Sequence, residues 1–268
     1  MLNVIIVILA LVLAGYLAFS NRLSSSSKWK ATVTPLASIM GSGFLVSAPL
    51  LAGIVGNLAV VCMALLLVLV LAFLVGGAVR FNIRHFEPIE NQGHGAAQSI
   101  AFLSRLVLVA AYFILVSYYL QLLAAFLLDM IGVGSQIGAH AISTFLLVTI
   151  GVIGMWHGLK QLENVEKYAV SLNLGMIGAL LIGLLVYNLR LALGGEWALP
   201  AISSAIDLHD MRVLLGLLIV VQGFETSRYL GDEHSAEERI ETMRFAQIIA
   251  SVIYLAFVAL ATVLFHDR

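Results

Sequence analysis

The residues with the clearest chemical potential in this sequence are glycines and one carboxylate that interrupt long apolar segments. A Gly-Ser-Gly triplet at positions 41–43 lies between Pro35 and Pro49 within one such segment. Glycine costs a helix about 1 kcal/mol relative to alanine, and proline removes a backbone donor. The spacing therefore predicts that the helix unwinds at the triplet, which frees N–H groups that could receive an anionic group.

The triplet also has a simpler interpretation. Small residues let helices approach closely in membranes, and glycines alone would favour that role. Pro35 and Pro49, which bracket the triplet, favour an interruption instead. An irregular backbone inside a bilayer is tolerated only where it is buried in protein or lines a cavity.

A second interruption is predicted at Gly223, which is followed by Phe224 and Glu225. An ionisable side chain inside a bilayer is energetically expensive, so Glu225 is a functional candidate. The alternative is a structural ion pair between Glu225 and Arg228, three residues further along the same helix face.

The composition requires lipid as the solvent for most of this chain. Of its 268 residues, 61% are hydrophobic and 11% are charged, whereas soluble domains carry about 25% charged residues. The net charge of −1 gives no indication of a nucleic-acid partner. The segment Leu2–Phe19 has no basic residue before it, so we interpret it as a retained helix rather than a signal peptide.

Eight segments are long and apolar enough to span a bilayer. We call the first the leading helix and the others core helices 1 to 7, so the interruptions fall in core helices 1 and 6. The apolar runs are continuous rather than alternating, which favours an all-α integral membrane protein over a barrel. The segments are Leu2–Phe19, Val33–Val55, Leu58–Val79, Ile100–Leu128, Ala139–Trp156, Tyr168–Leu189, Met211–Leu230 and Phe245–Phe265.

The distribution of Lys and Arg predicts the orientation. With the N-terminus outside, eleven basic residues face the cytoplasm and only Arg190, Arg212 and Arg268 lie outside. The chain is therefore predicted to be a multi-pass protein of the cell membrane. The cytoplasmic set is Arg22, Lys28, Lys30, Arg80, Arg84, Arg105, Lys160, Lys167, Arg228, Arg239 and Arg244.

The polar segments between these spans are predicted to be connections. The stretch Arg80–Gln98 is interpreted as a cytoplasmic loop, because it combines mixed charge with Pro88 and nearby glycines. Within the charged stretch Gly231–Arg244, a solvated loop or short helix is expected. There, Glu237, Glu238, Arg239 and Glu241 are predicted to form a solvent-exposed face.

Both interruptions resemble a known family. The stretch from Ser38 to Pro49 is similar to the first-helix signature of the amino acid–polyamine–organocation permeases, in which a Gly-Ser-Gly precedes an aliphatic pair and a proline. Gly223-Phe224-Glu225 resembles that family's sixth-helix motif. Only these two stretches are specific, and the rest of the resemblance over core helices 1 to 7 is loose. It implies a transporter built as a five-plus-five inverted repeat.

The resemblance also implies a set of functional residues. The backbone of core helix 1 would receive the carboxylate or amine of a substrate, an aromatic residue of core helix 6 would act as a lid, and Glu225 would take part in proton-linked gating. A polar patch on core helix 3, comprising Ser117, Tyr118, Tyr119 and Gln121, could complete the site or simply form interhelical hydrogen bonds. The expected substrate-binding residues are Ile39, Gly41, Ser42, Gly43, Tyr118, Gln222, Gly223 and Phe224.

Three features depart from the family pattern. The loop after core helix 6 has no proline, the leading helix is more like that of sodium–solute symporters, and the sequence stops at Arg268 after core helix 7. The resemblance therefore implies a truncated sequence, or a second polypeptide that supplies the missing C-terminal helices. The predicted parts are a leading helix at 1–20, a cytoplasmic linker at 21–32, a first repeat at 33–189, an external loop at 190–210 and an incomplete second repeat at 211–268.

Other chemistry has little support in the sequence. The seven histidines show no metal-ligand spacing, and no nucleophile-elbow motif occurs, so neither a metal site nor an enzyme is predicted. We expect no cofactor beyond a coupling proton or sodium ion. The leading hypothesis is ion-coupled transport of amino acids or amines, and the alternative is a transporter-like sensor or scaffold without transport activity.

Overall fold

In the computed structural model, every regular element of the described residues is a helix. The structure describes residues 2–24, 26–41, 43–90, 95–157, 159–199, 207–219, 221, 223–231 and 234–265. The α-helices are α1 (Leu2–Phe19), α2 (Asn21–Ser24), α3 (Ser27–Ile39), α4 (Gly43–Val55), α5 (Ala59–Leu69), α6 (Glu87–Glu90), α7 (Ala96–Met130), α8 (Gln136–His157), α9 (Leu159–Gly194), α10 (Leu208–Gly216) and α11 (Ala236–Ala261). Short 3₁₀ helices occupy Gly56–Leu58, Leu217–Ile219, Phe224–Leu230 and Thr262–Phe265, and π-helical turns occupy Val70–Val79 and Asn82–Phe86.

Six helical stretches among the described residues are long and apolar enough to cross a membrane. They are Val4–Leu23, Gly43–Glu90, Ala96–Met130, Gln136–Trp156, Tyr168–Gly194 and Ala236–Phe265. The prediction of an all-α membrane protein is confirmed. The predicted spans Val33–Val55 and Met211–Leu230 do not appear whole in this set, because the interruptions divide them into shorter helices. The number of eight spans and the repeat layout remain predictions.

Helical structure extends further than the composition indicated. The stretch Arg80–Gln98 was expected to be a loop, but the chain stays helical as far as Glu90. Pro88 is the second residue of α6, which directly follows the π-helical turn Asn82–Phe86. Likewise, the segment 21–32 contains α2 and the beginning of α3. The side chain of Ser26 caps α3 by accepting a hydrogen bond from the Trp29 N–H.

The described structure divides into two compact units. The larger unit comprises Met1–Arg84 and Lys167–Arg268, and the smaller unit comprises His85–Glu166. In the smaller unit α7 packs along α8, and a tight turn between them uses Gly132 at a φ of +74°. An ion pair between Arg105 and Glu90 joins α7 to α6.

The larger unit is organised around α3 and α11, which run in the same direction. Near their starts, Lys28 forms a salt bridge of 2.8 Å with Glu241, and further along Ile39 contacts Tyr254. The buried face of α11 follows helical periodicity, with one residue at every third or fourth position. Its members are Met243, Ala246, Ala250, Tyr254, Phe257 and Ala261.

One residue of the predicted solvent-exposed face is in fact buried. Arg239 is only 5% exposed, and its Nη1 donates a hydrogen bond of 3.1 Å to the carbonyl of Ser227. A charged side chain near the start of α11 therefore supports the backbone of the 3₁₀ segment Phe224–Leu230. The prediction of a wetted Arg239 was wrong because it considered the charge of the residue and not the carbonyl beside it.

The leading helix α1 packs antiparallel against α9 through small residues. A Cβ added at Gly175 would lie 2.6 Å from the carbonyl oxygen of Ala10 and 2.8 Å from the Cβ of Ala14. The rings of Phe19 and Tyr168 meet in a tilted arrangement near one end of this contact, with centroids 5.8 Å apart. Backbones that approach this closely gain van der Waals contact, which drives helix association in lipid.

We expect Gly175→Ala to destabilise the seating of α1 on α9. The added methyl group meets backbone atoms that cannot rotate away, and such overpacking costs about 1–3 kcal/mol. The matched control is Gly15→Ala on α1, where no atom lies within 4 Å of the added Cβ. Thermal unfolding in detergent should show a lower midpoint for Gly175→Ala and no loss for Gly15→Ala. Equal midpoints would contradict this packing.

Candidate functional site

The first interruption lies between α3 and α4. Helix α3 ends at Ile39 because Met40 leaves the helical region, with φ −89° and ψ 40°. The Met40 N–H still donates to the carbonyl of Leu36, and the Phe44 N–H closes the turn onto the carbonyl of Gly41 at 3.1 Å. The predicted break in core helix 1 is therefore present. Both prolines sit inside the flanking helices, so the break occurs at the glycines and not at the prolines.

The second interruption lies between two 3₁₀ segments of core helix 6. The chain is non-helical at Val221 and Gly223 and resumes at Phe224. Gly223 has a φ of +148°, a conformation that residues with a side chain rarely adopt. The Thr226 hydroxyl donates a hydrogen bond of 2.6 Å to the carbonyl of Gly223, which fixes the start of the following segment.

The two interruptions are in direct contact. A Cβ at Gly223 would come within 2.7 Å of Ile39 Cγ1 and 3.0 Å of the Ile39 backbone nitrogen. It would also lie 3.2 Å from the Cβ of Ser38. Any residue larger than glycine would therefore push the end of α3 away, and this contact explains why a glycine stands at position 223.

The carbonyl groups freed at the end of α3 are bonded by side chains from two other helices. The Tyr254 hydroxyl of α11 donates to the carbonyl of Ile39 at 3.0 Å, and the Asn173 amide of α9 donates to the carbonyl of Met40 at 2.8 Å. Tyr254 is fully buried, and its ring packs edge-on against Phe44 at a centroid distance of 5.4 Å. These side chains replace the helical donors that the break removes.

Sequence reasoning missed Asn173 and Tyr254 as site residues. The available signal was weak, since one amide and one phenol inside apolar helices are also compatible with ordinary interhelical hydrogen bonds. Their partners are 133 and 215 residues away in the sequence, at Met40 and Ile39.

The structure distinguishes two kinds of environment among the predicted residues of the first break. Ile39 is completely buried, with its side chain against Gly223. Gly41 is exposed, and the nearest atom to a Cβ added there is the carbonyl oxygen of Ser38 at 3.8 Å. The open side of the break is therefore at Gly41. Gly43 is partly buried and begins α4, whose first turn carries N–H groups without helical partners.

Several of the other predicted site residues lie outside the part of the chain that the structure describes. Ser42, Gln222 and the side chain of Phe224 lie outside the described residues. Glu225 is partly buried at the second position of its 3₁₀ segment. Its pairing with Arg228 stays untested, because the side chain of Arg228 also lies outside the described residues.

Tyr118 belongs to the smaller unit, on α7, where its ring lies 5.8 Å from that of Tyr119. Of the polar patch on this helix, Ser117 donates a hydrogen bond to the carbonyl of Phe113 at 2.7 Å within its own helix. Gln121 lies 3.5 Å from the imidazole of His140 on α8. The Ser117 bond is local to α7, and the Gln121 contact joins α7 to α8. A role for Tyr118 in substrate binding remains a prediction.

Comparison with known proteins places these features in a family. An uncharacterized protein of Aquifex aeolicus (strain VF5) is 41% identical over 258 residues, which cover 93% of this chain and 61% of the relative. The chain thus spans less than two thirds of the length of that relative. No solved structure matches the chain. A family model described as APC superfamily transporter matches residues 21–268, which include both interrupted helices. On this match, the chain belongs to the APC superfamily of transporters.

Proposed function

We propose that this protein is a secondary active transporter of small organic solutes such as amino acids or amines, and that the solute docks where the two interruptions meet. The observation that carries the proposal is the contact between Gly223 and the end of α3, where Ile39 lies two residues before the exposed Gly41. It brings two irregular backbone segments together inside an apolar helical protein, which is where transporters of this type hold their substrates.

The chemistry of the break suits a solute with charged groups. The N–H groups at the start of α4 carry the positive end of a helix dipole, which attracts a carboxylate. The two carbonyls at the end of α3 are already bonded to Tyr254 and Asn173. These bonds leave the N–H side of the break as the part that interacts with the solute, and amino acids fit this polarity.

The packing of the helices around the break is compatible with alternating access. Helices α3, α4, α5 and α11 pack together in the larger unit. We propose that these helices move as one group during transport. The coupling ion would be a proton or sodium, with Glu225 as the candidate proton carrier because it is the carboxylate next to the second break.

We expect Gly41→Leu to abolish solute binding without preventing folding or membrane insertion. The leucine side chain would fill the open side of the break, where the docked solute is proposed to lie. Gly41→Ala is the matched control, because its Cβ has ordinary contacts only. Counterflow of radiolabelled amino acids and amines in proteoliposomes containing the full-length protein measures the effect. Unchanged counterflow in Gly41→Leu would show that the solute does not dock there.

We expect Tyr254→Phe to lower the free energy of unfolding by about 1–3 kcal/mol. The change leaves the buried carbonyl of Ile39 without its donor, and an unsatisfied buried acceptor carries a cost of that size. Tyr187→Phe on the exposed side of α9 is the control. Thermal unfolding in detergent measures the stability of each variant. Equal unfolding midpoints for the two tyrosine variants would show that Tyr254 does not hold the break in place.

A further inference from the structure

A cavity lies at the opposite end of α3 from the break. It has a volume of about 570 Å³ and lies where α3 and α11 begin, beside the π-helical turn Asn82–Phe86. All of its lining residues belong to the larger unit. The lining extends along α3 as far as Thr32, so at 1.5 Å per residue the seven-residue step to Ile39 separates the cavity from the break by roughly 10 Å. The cavity is therefore distinct from the proposed solute site.

Three basic side chains converge on this cavity, namely Lys28, Arg84 and Arg244. Lys28 is already neutralised by its 2.8 Å salt bridge to Glu241. Arg84 and Arg244 are exposed, and within the described part of the chain neither forms a salt bridge. Glu237 is the other carboxylate of the lining, so the cavity keeps an excess of positive charge.

The N-terminus of α3 adds to this positive potential, whereas the first turn of α11 carries Glu237 and Glu238, which offset its own dipole. Helices α3 and α11 both begin at this end, capped by the side chains of Ser26 and Ser235. The partial positive charge of a helix start favours anions within the first turn. The arginines and the start of α3 therefore act together on the same small volume.

Further along α11 from the charged residues, the surface of the cavity becomes apolar. Trp29 and Phe245 line the cavity together with Ile248. On α11, Phe245, Ile248 and Val252 are 51%, 45% and 62% exposed, and their spacing places them on one face of the helix. This apolar stripe leads from the cavity along α11. A ligand that fits both parts has an anionic head and a hydrocarbon chain.

We propose that this cavity binds the phosphate headgroup of an anionic phospholipid. Arg84 and Arg244 donate hydrogen bonds to the phosphate, and one acyl chain lies along the stripe formed by Phe245, Ile248 and Val252. The basic end of the protein is also the end that the Lys and Arg distribution predicts to be cytoplasmic, and basic pockets between helices on that side bind anionic headgroups. The lipid would contact the first turn of α3 and thereby the helix that carries the break.

The test is a thermal-unfolding titration of the full-length protein in detergent. The added probes are phosphatidylglycerol, phosphatidylcholine and inorganic phosphate, in separate arms. We expect phosphatidylglycerol to raise the unfolding midpoint in a saturable manner, and the other two to have little effect. The double variant Arg84→Gln/Arg244→Gln should lose roughly tenfold or more in apparent affinity for phosphatidylglycerol.

Matched variants separate this site from general charge effects. The control Arg190→Gln/Arg212→Gln removes two exposed arginines of the same unit that do not line the cavity, and it should respond like the wild type. Ile248→Gln keeps both cavity arginines and should weaken the lipid effect through the acyl chain alone, so it serves even if the double variant does not fold.

Three results would overturn the proposal. The first is an equal response of the Arg84→Gln/Arg244→Gln variant and the wild type to phosphatidylglycerol. The second is an equal loss in the Arg190→Gln/Arg212→Gln control, which would indicate nonspecific charge attraction. The third is an equal stabilisation by inorganic phosphate, which would identify a site for a free anion and not for a lipid.

Discussion

The backbone carbonyl groups at the end of α3 set the central physical constraint on this structure. A helix that stops inside an apolar environment exposes carbonyls that water cannot reach, and each one left unbonded costs several kcal/mol. Here the carbonyl of Ile39 is bonded by Tyr254 and the carbonyl of Met40 by Asn173. The break can persist only because α9 and α11 supply these donors.

This constraint explains much of the packing around the break. Tyr254 must be buried beside α3, and its position is supported by the rings of Phe44 and Phe257, whose own centroids are 4.3 Å apart. Helix α9 makes a second bond of the same kind, from the Asn188 amide to the carbonyl of Leu260 at 2.8 Å. Gly223 completes the arrangement, because it alone allows the second interruption to touch the first.

The pair formed by α3 and α11 has a chemically different character at each end. At their starts the helices carry charged side chains and a cavity that opens to the surroundings. At the break the same pair is fully buried around Ile39 and Tyr254. A ligand at the charged end would contact the first turn of α3, and the rigidity of a helix would connect that contact to the break. Helix α3 therefore connects the cavity with the break.

The sequence by itself determined the properties that depend on local composition. Hydropathy identified an all-α membrane protein, and the glycines at 41, 43 and 223 located both interruptions, because the cost of glycine in a helix is local. The similarity of these stretches to APC permeases was likewise contained in short motifs. Tertiary structure alone decided which side chains bond the freed carbonyls, that Ile39 is buried while Gly41 is open, and that Arg239 supports a backbone carbonyl. These outcomes depend on contacts between residues far apart in the chain. The hydrophobic periodicity and polarity of one helix do not show which distant residues it will contact.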